Sequence, residues 1–320
     1  MAVIAADIGG SKSLLGWFPQ PGKARHTVRF DNHPHADFDT VLSLYLQQQS
    51  DIHPADATLV LAIAGPVQNR RQCQMTNLPW YLDAAALQTR FDFRDVILLN
   101  DLEATAWAMP GLHVTEQKSL NGRPLCFDKP VAVISVGTGL GQALLLPDAH
   151  QGWRVLPSEG GHKSFAPFDA VGATLLQQAL ANGQSAISWE DWFCGSGLPR
   201  LYQAMYPSAT ALEAAAITAL AAADEESPAA RCVEWLVQGL FAEAGNVALQ
   251  YWSEGGVVFA GGMAQHLQPW LSQPALQQVF TWKSRHQSWL AAVPLALCTN
   301  TEAALQGAAD HGWHQQIRGN

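Results

Sequence analysis

The stretch AADIGGSKSLLGWF, Ala5–Phe18, places a carboxylate and a cation around a flexible turn between two apolar runs. Asp7 ends the apolar run that opens the chain, and the turn that follows is Gly9-Gly10-Ser11-Lys12. Short apolar runs on both sides of a glycine turn are typical of two antiparallel strands joined in a hairpin. The sequence therefore predicts that the chain begins with a β-hairpin whose turn carries both charges.

The residues after this hairpin follow strand and helix patterns in turn. A third strand is predicted within Ala24–Phe30, and an amphipathic helix within Phe38–Gln49, where apolar residues recur at helical spacing. The runs Thr58–Ala64 and Asp95–Asn100 are almost wholly apolar, as in strands buried on both faces of a sheet covered by helices. This order predicts an α/β lobe that ends near Leu112.

A second unit begins with KPVAVISVGTGLGQALLLPD, Lys129–Asp148, which repeats the opening pattern of strand, glycine-rich turn and strand. The repeat predicts two similar structural units. The length of 320 residues agrees, because single cores usually stop growing at about 250 residues. The later pattern predicts a strand in GGVVFAGG and helices at about 170–181, 198–205, 212–223 and 228–252 and from about 301 onward.

Composition excludes several classes of partner. The net charge is −9 and only 14% of the residues are charged, against about 25% in typical soluble domains, so binding to nucleic acid or to an anionic membrane is not expected. The chain reaches Asp7 without a signal-peptide pattern, and its longest apolar run, Ala57–Val67, is shorter than the roughly 20 residues of a membrane span. These features predict a soluble, cytoplasmic protein.

The cysteines do not form a recognisable metal or disulfide pattern. Cys73, Cys126, Cys194, Cys232 and Cys298 are odd in number, scattered along the chain, and include no C-x-x-C pair. Buried thiols are therefore predicted, rather than a zinc site or a disulfide framework.

The second glycine turn, Gly137-Thr138-Gly139-Leu140-Gly141, does not match the dinucleotide-binding fingerprint. That fingerprint needs G-x-G-x-x-G at the start of a helix, whereas this turn has the spacing G-x-G-x-G and precedes a strand pattern. The sequence also contains no Walker A string. Glycine lets backbone N–H groups approach an oxyanion, so two such turns, one in each unit, could hold one polyphosphate. An ordinary hairpin turn is the alternative for either one alone.

Polar side chains interrupt the apolar pattern at two further places. Asn100 and Asp101 end a buried strand and begin a helix, which is where α/β sheets bind ligands. Asp101 could accept a proton from a substrate hydroxyl, or could serve only as a helix N-cap. Glu159 and His162 flank a glycine pair and could hydrogen-bond neighbouring hydroxyls of one small polyol, or could belong to an ordinary polar loop.

Short segments in a fixed order resemble a known enzyme family. They are DIGGS (7–11), TNLPW (76–80), LLND (98–101), GTGLG (137–141), EGGH (159–162), CGSGLPRLY (194–202) and the glycines 261–262. Together they resemble the bacterial glucokinase family of the hexokinase, actin and Hsp70 superfamily, from about residue 2 to about residue 310. The resemblance implies an α/β protein with the two-lobed actin-like ATPase (ribonuclease H-like) fold and a cleft between its domains. It implies a small domain at 1–112, completed by a C-terminal helix at about 303–320, and a large domain at 113–302.

The same resemblance implies a role for each matching residue. It implies that the hexose is bound by Asn100, Asp101, Glu159, His162 and Glu190, with Asp101 as catalytic base. It implies that the nucleotide is bound by Asp7, Gly9, Gly10, Ser11, Gly137, Thr138, Gly139, Gly261 and Gly262. Lys12, which does not match the family pattern, is a further candidate for binding the nucleotide at the first turn. Asp7 would help to place magnesium through water, while Ser11 and Thr138 would contact phosphate through their hydroxyls.

The implied activity is transfer of the γ-phosphate of ATP to the 6-hydroxyl of glucose with Mg²⁺, a step of glycolysis. Phosphoryl transfer needs positioning and charge neutralisation more than covalent chemistry, which suits this set of residues. The resemblance also implies a homodimer. Two alternatives are a kinase for another aldohexose or an amino sugar, and a non-catalytic sugar-binding regulator with the same fold.

The sequence departs from the family pattern at three places, one of which is the loosely matching segment Thr301–Gly307. After the first glycines the family has threonine and asparagine, whereas this chain has Ser11 and Lys12. Lys12 could add positive charge near the phosphates, or could be a solvated side chain on the outer face of the strand. CGSGL replaces SGPGL, so Cys194 lies near Glu190 and sugar preference could shift. The cysteine spacings exclude the zinc site of the related repressor, open-reading-frame and kinase group, so the resemblance is to the branch without zinc.

Overall fold

The structure, a computed structural model, describes residues 2–22, 24–49, 51–149 and 152–318. The chain divides into two compact units. The first comprises Met1–His113 with Asn300–Asn320, and the second comprises Val114–Thr299. Each unit contains its own mixed β-sheet.

Strands and helices occur in both units. In chain order the strands are β1 Ala2–Ile8, β2 Lys12–Phe18, β3 His26–Asp31, β4 Ala57–Ile63, β5 Val67–Gln68, β6 Gln72–Gln74, β7 Tyr81–Asp83, β8 Asp95–Asn100, β9 Gln117–Ser119, β10 Val131–Val136, β11 Leu140–Asp148, β12 Gly152–Ser158, β13 Gly256–Ala260 and β14 Leu295–Cys298. The α-helices are α1 Phe38–Gln47, α2 Ala84–Phe91, α3 Asp101–Ala108, α4 Ala170–Ala181, α5 Trp189–Trp192, α6 Leu198–Met205, α7 Ala214–Ala223, α8 Pro228–Tyr251, α9 Gly262–His266, α10 Gln268–Leu271, α11 Leu276–Thr281, α12 Gln287–Leu290 and α13 Ala303–Arg318.

The sheet of the first unit has the strand order β3-β2-β1-β4-β8. β1 is antiparallel to β2, with Val3 opposite Phe18 and Ile8 opposite Ser13, which confirms the predicted opening hairpin. β1 is parallel to β4, and β4 is parallel to β8, so the carboxyl ends of these three strands meet at one edge. β5, β6 and β7 form a separate small antiparallel sheet in the same unit.

Helices cover both faces of this first sheet, as its apolar strands predict. Along β1, Val3 and Ala5 belong to one apolar cluster, while Ile4 and Ala6 belong to another, because successive side chains point to opposite faces. The first cluster includes residues of α3 and α13, and the second includes residues of α1 and α2. All seven residues of β4 are buried, which places this strand at the centre of the unit.

The sheet of the second unit has the order β12-β11-β10-β13-β14-β9. β10 is antiparallel to β11 and parallel to β13, and β13 is parallel to β14. The hairpin followed by two parallel strands repeats the plan of the first sheet, so the predicted internal repeat is confirmed.

Helix α8 supplies much of the core of the second unit. The helix predicted at about 228–252 is confirmed, and its apolar residues Val233, Leu236, Leu240 and Val247 are fully buried. Ser227 caps its first turn by accepting a hydrogen bond from the Ala230 N–H. Other helix limits agree closely with the sequence patterns: α4 and α6 match their predicted ranges, α7 begins two residues later, and α1 ends two residues earlier.

The cysteines are thiols. Cys73, Cys194, Cys232 and Cys298 are buried as predicted, but Cys126 is only partly buried, because it lies in a surface segment between β9 and β10 in which no residue from 121 to 130 is buried. In the part of the chain that the structure describes, every helix is too short or too polar to cross a bilayer.

Candidate active site

The first glycine turn is held in place by Asn32, which follows β3. The Gly9 N–H donates to the Lys12 carbonyl at 2.9 Å and closes the turn. Asn32 is fully buried: its Oδ1 accepts from the Ser13 hydroxyl at 2.7 Å, and its Nδ2 donates to the Gly9 carbonyl at 2.9 Å. The Asn32 N–H also donates to the Ser11 carbonyl at 2.8 Å. Asn32 therefore fixes the backbone of the turn, a role that its polar sequence context did not reveal.

Gly10 lies against the TNLPW segment. A Cβ atom at Gly10 would lie 3.0 Å from the Cβ of Asn77, so a side chain at position 10 would push against it. The structure thus brings TNLPW to the first glycine turn and adds Asn77 to the residues near it. The side chains of Ser11 and Lys12 are exposed at this turn.

Asp7 and Asp101 lie at the same edge of the first sheet. Ile8 of β1 pairs with Ile63 of β4, and Ile63 pairs with Asn100 of β8. Asp7 directly precedes Ile8 and Asp101 directly follows Asn100, so both carboxylates lie within one residue of this row of paired residues. The pKa of Asp7 is raised from 3.8 to about 6, chiefly by burial and then by the negative charge of Asp101, while Arg29 opposes the shift. Two carboxylates that repel each other in this way favour a cation beside them.

Asn100 is the residue that caps helix α3. Its Oδ1 accepts from the Leu102 N–H at 3.0 Å, and its Nδ2 lies 3.4 Å from the carbonyl oxygen of Gly65. One oxygen of Asp101 also accepts from the Leu102 N–H, at 2.9 Å. The N-cap of α3 is therefore Asn100, and Asp101 is the first residue of the helix. The alternative in which Asp101 serves only as the N-cap is wrong.

The second glycine turn is bonded to the CGSGL segment. The Gly137 N–H donates to the Gly139 carbonyl at 2.9 Å. The Gly195 N–H donates to the Gly137 carbonyl at 2.8 Å, and the Ser196 N–H donates to the Thr138 carbonyl at 3.0 Å. Two adjacent carbonyls of the turn are thus occupied by one segment, while the Thr138 side chain is exposed.

Cys194, the departure from the family pattern, is part of the support of Glu190. Its thiol lies in a buried site 3.0 Å from the Glu190 carbonyl oxygen, to which it donates, and 3.4 Å from the Ser196 hydroxyl. Burial raises the pKa of this thiol. The thiol therefore acts as a neutral hydrogen-bonding group.

Glu159, His162 and Glu190 come together in the second unit. The Nε2 atom of His162 lies 3.8 Å from the nearer Glu159 carboxylate oxygen and 3.6 Å from Oε1 of Glu190. The other oxygen of Glu190 accepts from the Leu140 N–H at 2.8 Å, which joins this cluster to the second glycine turn. The side chain of Glu159 is 88% exposed and that of Glu190 is 28% exposed. Such partly exposed carboxylates and imidazole can hydrogen-bond sugar hydroxyls.

Gly261 and Gly262 follow β13, the strand next to β10. Gly261 has a φ of +93°, and a Cβ atom there would lie 2.6 Å from the Val136 carbonyl oxygen. Only glycine suits this conformation, whereas a Cβ atom at Gly262 would point into open space. Gly261 therefore lets the backbone pack closely against the end of β10, and the backbone is open at Gly262.

The predicted site residues fall into two groups, one in each unit. The first unit holds Asp7, Gly9, Gly10, Ser11, Lys12, Asn100 and Asp101. The second holds Gly137, Thr138, Gly139, Glu159, His162, Glu190, Gly261 and Gly262.

The carboxylates of the first unit fit a magnesium ion. Mg²⁺ usually keeps several waters and takes one or two protein carboxylates together with substrate phosphates. Asp7 and Asp101 supply such a pair, with a repulsion that a cation would relieve. Among the described residues, no group of three or more His, Cys, Asp or Glu side chains forms a cage for a metal ion. An ion here would depend on water and phosphate for its remaining ligands.

Comparison with known proteins gives a consistent result. The glucokinase family model matches residues 4–315. A glucokinase of Chromobacterium violaceum is 34% identical over 312 residues, covering 96% of this chain and 88% of that protein. The crystal structure of a glucokinase from an Antarctic psychrotroph is 28% identical, with a TM-score of 0.88 and 98% of each chain covered.

A more distant structure shows the fold alone. The ROK family glucokinase of Streptomyces griseus, crystallised with glucose and AMPPNP, is 18% identical, with a TM-score of 0.67 over 98% of this chain and 99% of that one. These likenesses confirm the predicted α/β fold class of the actin-like ATPases. The match of the family model over nearly the whole chain and the identity to the Chromobacterium protein confirm the resemblance seen in the sequence. The chain belongs to the glucokinase family.

Proposed function

We propose that this protein is an ATP-dependent hexokinase that transfers the γ-phosphate of ATP to the 6-hydroxyl of glucose. The observation that carries the proposal is the cluster of Glu159, His162 and Glu190, which is bonded to the second glycine turn through the Leu140 N–H. A polyol-binding cluster built directly on a phosphate-binding type of turn suits an enzyme that joins a sugar to a phosphate.

The sugar is bound through hydrogen bonds to its hydroxyls. Glu159, His162 and Glu190 accept or donate these bonds in the second unit, and Asn100 does so in the first. Asp101 accepts the proton of the 6-hydroxyl as that oxygen attacks phosphorus, which is the role of the carboxylate base in phosphoryl transfer. Its place as the first residue of a capped helix gives it a fixed backbone position.

The nucleotide is bound through backbone N–H groups and hydroxyls. The glycines at 9, 10, 137, 139, 261 and 262 let the backbone approach phosphate and ribose, and Ser11 and Thr138 add exposed hydroxyls. When bound, Mg²⁺ supplies positive charge to the phosphates. Asp7 would hold it through water, with Asp101 close enough to influence the charge of Asp7.

The two compact units correspond to the small and large domains of the kinase, and the C-terminal helix α13 completes the small one. The reaction consumes ATP, which supports a place in the cytoplasm, and phosphorylation of glucose at its 6-hydroxyl supports a place in glycolysis. A homodimer is proposed on the family resemblance.

The test is ADP release with ATP and Mg²⁺ across a panel of glucose, mannose, glucosamine and other aldohexoses. We expect strong release with glucose and none with any sugar when Mg²⁺ is chelated. ADP release only with another sugar would mean that this sugar, and not glucose, is the substrate. The hydrogen bond from the Cys194 thiol to the Glu190 carbonyl would then be the first feature to test as the cause. Sugar binding by calorimetry without ADP release from any member of the panel would indicate a sugar-binding regulator and refute the kinase.

Lys12 is expected to strengthen ATP binding modestly. Its side chain is exposed at the first glycine turn, so its charge acts on phosphate through solvent and is screened by salt. We expect Lys12→Asn to raise KM for ATP about threefold to tenfold at low salt, with KM for glucose unchanged, and the effect to shrink in about 0.5 M salt. The matched control is Lys118→Asn, an exposed lysine of the second unit. An unchanged KM for ATP in Lys12→Asn would assign Lys12 to the solvated outer face of the strand.

A further inference from the structure

A buried charge network adjoins the turn that carries Glu159 and His162. Glu243, on α8, has no exposed surface. Its Oε1 accepts from Lys163 Nζ at 2.6 Å and from Gln142 Nε2 at 2.7 Å, and its Oε2 accepts from Asn246 Nδ2 at 3.0 Å. Lys283 Nζ donates to Asn246 Oδ1 at 2.7 Å. We refer to Lys163, Gln142, Glu243, Asn246 and Lys283 as the Lys163 network.

The network holds the Lys163 side chain firmly. A buried carboxylate is tolerated only when it is paired and hydrogen-bonded, and removing one partner leaves an uncompensated buried charge. Both oxygens of Glu243 are engaged, and the Lys163 ammonium also lies 3.4 Å from the side-chain oxygens of Gln142 and Gln250. The side chain of Lys163 is still 32% exposed, so it runs from a surface turn to a fully buried partner.

The main chain of Lys163 connects this anchor to the sugar cluster. Lys163 directly follows His162, and its N–H donates to the Gly160 carbonyl at 3.3 Å. Its carbonyl accepts from the Trp189 N–H at 3.2 Å, and Trp189 directly precedes Glu190. One residue therefore fixes the backbone next to His162 and the backbone next to Glu190.

The turn also rests directly on Gln142. A Cβ atom at Gly160 would collide with the Gln142 side-chain oxygen, so the glycine backbone lies against the network. Gln142 is fully buried on β11, where its carbonyl accepts from the Ser158 hydroxyl at 2.9 Å. Contacts on both sides of the turn, at Gly160 and at Lys163, leave it little freedom.

We propose that Lys163 and Glu243 are positioning residues for sugar binding: their buried ion pair fixes the turn so that Glu159, His162 and Glu190 keep one geometry toward the hexose. This inference rests on the proposed function, since it assigns the cluster to sugar binding. Sugar-binding geometry is sensitive to small displacements, so loosening the turn weakens glucose binding more than it weakens ATP binding.

The variants separate positioning from general stability. Lys163→Met removes the charged Nζ and keeps an unbranched apolar chain as far as Cε, while Lys163→Arg keeps the charge. Glu243→Gln keeps the shape of the partner but removes its charge, and the double variant Lys163→Met, Glu243→Gln removes both charges together. The matched control is Lys129→Met, which breaks the exposed pair of Lys129 and Glu254, 3.3 Å apart in the same unit.

We expect Lys163→Met to raise both KM and the calorimetric dissociation constant for glucose about tenfold, with KM for ATP changed less than about twofold. Lys163→Arg should keep glucose binding within about threefold of the parent, and the double variant should bind glucose better than Lys163→Met alone, because it does not leave the Glu243 carboxylate buried without Lys163. Lys129→Met should bind both substrates normally. Equal increases in KM for glucose and for ATP in Lys163→Met would reduce the pair to a stabilising contact and overturn the proposal.

Amide hydrogen exchange tests the positioning role of Lys163 without a measurement of enzyme activity. In the protein alone, residues 159–163 should exchange faster in Lys163→Met than in the parent and the Lys129→Met control, while strand β13 stays protected. Unchanged exchange at 159–163 would overturn the positioning role even if glucose turnover fell. If the parent releases no ADP, the kinase proposal fails, but the glucose dissociation constants and the exchange rates still decide the role of Lys163.

Discussion

Replacement of Asp101 by asparagine is expected to lower kcat for glucose phosphorylation by about 10³-fold, while the dissociation constant for glucose changes by less than about threefold. Asparagine keeps the size of the side chain and an oxygen that can accept from the Leu102 N–H, as Asp101 does at 2.9 Å. It cannot accept a proton from the sugar hydroxyl. The loss should therefore fall on the chemical step, which is measured by ADP release at saturating glucose and ATP.

The control for Asp101→Asn lies on the strand that precedes it. Asp95, the first residue of β8, pairs with Arg71 at 3.2 Å on an exposed surface. Asp95→Asn removes a carboxylate from the same strand, and exposed ion pairs contribute little, so kcat should stay within about twofold. If Asp101→Asn kept more than about a tenth of the parent kcat, another group would have to be the base.

Loss of the base also changes the coupling between the two carboxylates of the first unit. The negative charge of Asp101 is one cause of the raised pKa of Asp7. Asp101→Asn should thus lower the pKa of Asp7 toward its ordinary value, which carboxylate NMR of the protein alone can measure. This readout is independent of turnover and reports that the two carboxylates are neighbours in the parent protein.

The sequence allows good prediction where the apolar pattern is strong. β4 is buried at all seven positions, and its continuous apolar run predicts a central strand. The two glycine turns reveal the repeat because each lies between two apolar runs. Asn100 and Asp101 are predicted at a ligand-binding edge for the same reason, since a buried strand ends there and a helix begins.

Other features have no local signal. β12, GWRVLPS, contains an arginine and a proline and is mostly exposed, and it is a strand because β11 pairs with it, with Leu144 opposite Leu156. Asn32 supports the first glycine turn from a distant loop, and Glu243 is a charged residue within a helix otherwise rich in buried apolar side chains. Such partners are set by tertiary contacts, so no periodicity or short motif predicts them.

Asp7→Asn is expected to stabilise the protein and to impair it as an enzyme. The folded pKa of Asp7, about 6, lies above its ordinary value of 3.8, so the folded state binds protons more tightly than the unfolded chain. The contribution of Asp7 to stability is fully present below about pH 4 and is lost as the pH rises through about 6. Asparagine avoids that loss, so Asp7→Asn should raise Tm at pH 7.5 by a few degrees and leave it nearly unchanged at pH 4.

The same substitution should cost about 10²-fold in kcat with Mg²⁺ and ATP, because the carboxylate that would hold the hydrated ion is gone. Asp310 of α13 is the matched control, since burial raises its pKa to about 6 as well, with Gln306 as its hydrogen-bond partner. Asp310→Asn should show a similar gain in Tm at pH 7.5 with normal turnover.

Together the two variants separate burial from function. Burial alone would make Asp7 and Asp310 equivalent, with a gain in stability and no effect on kcat in either variant. If the Asp7 carboxylate is retained for function in spite of its burial, turnover should fall in Asp7→Asn and stay normal in Asp310→Asn. Normal Mg²⁺-dependent turnover in Asp7→Asn would remove Asp7 from the magnesium site, whereas a lower Tm at pH 7.5 would mean that its charge stabilises the fold.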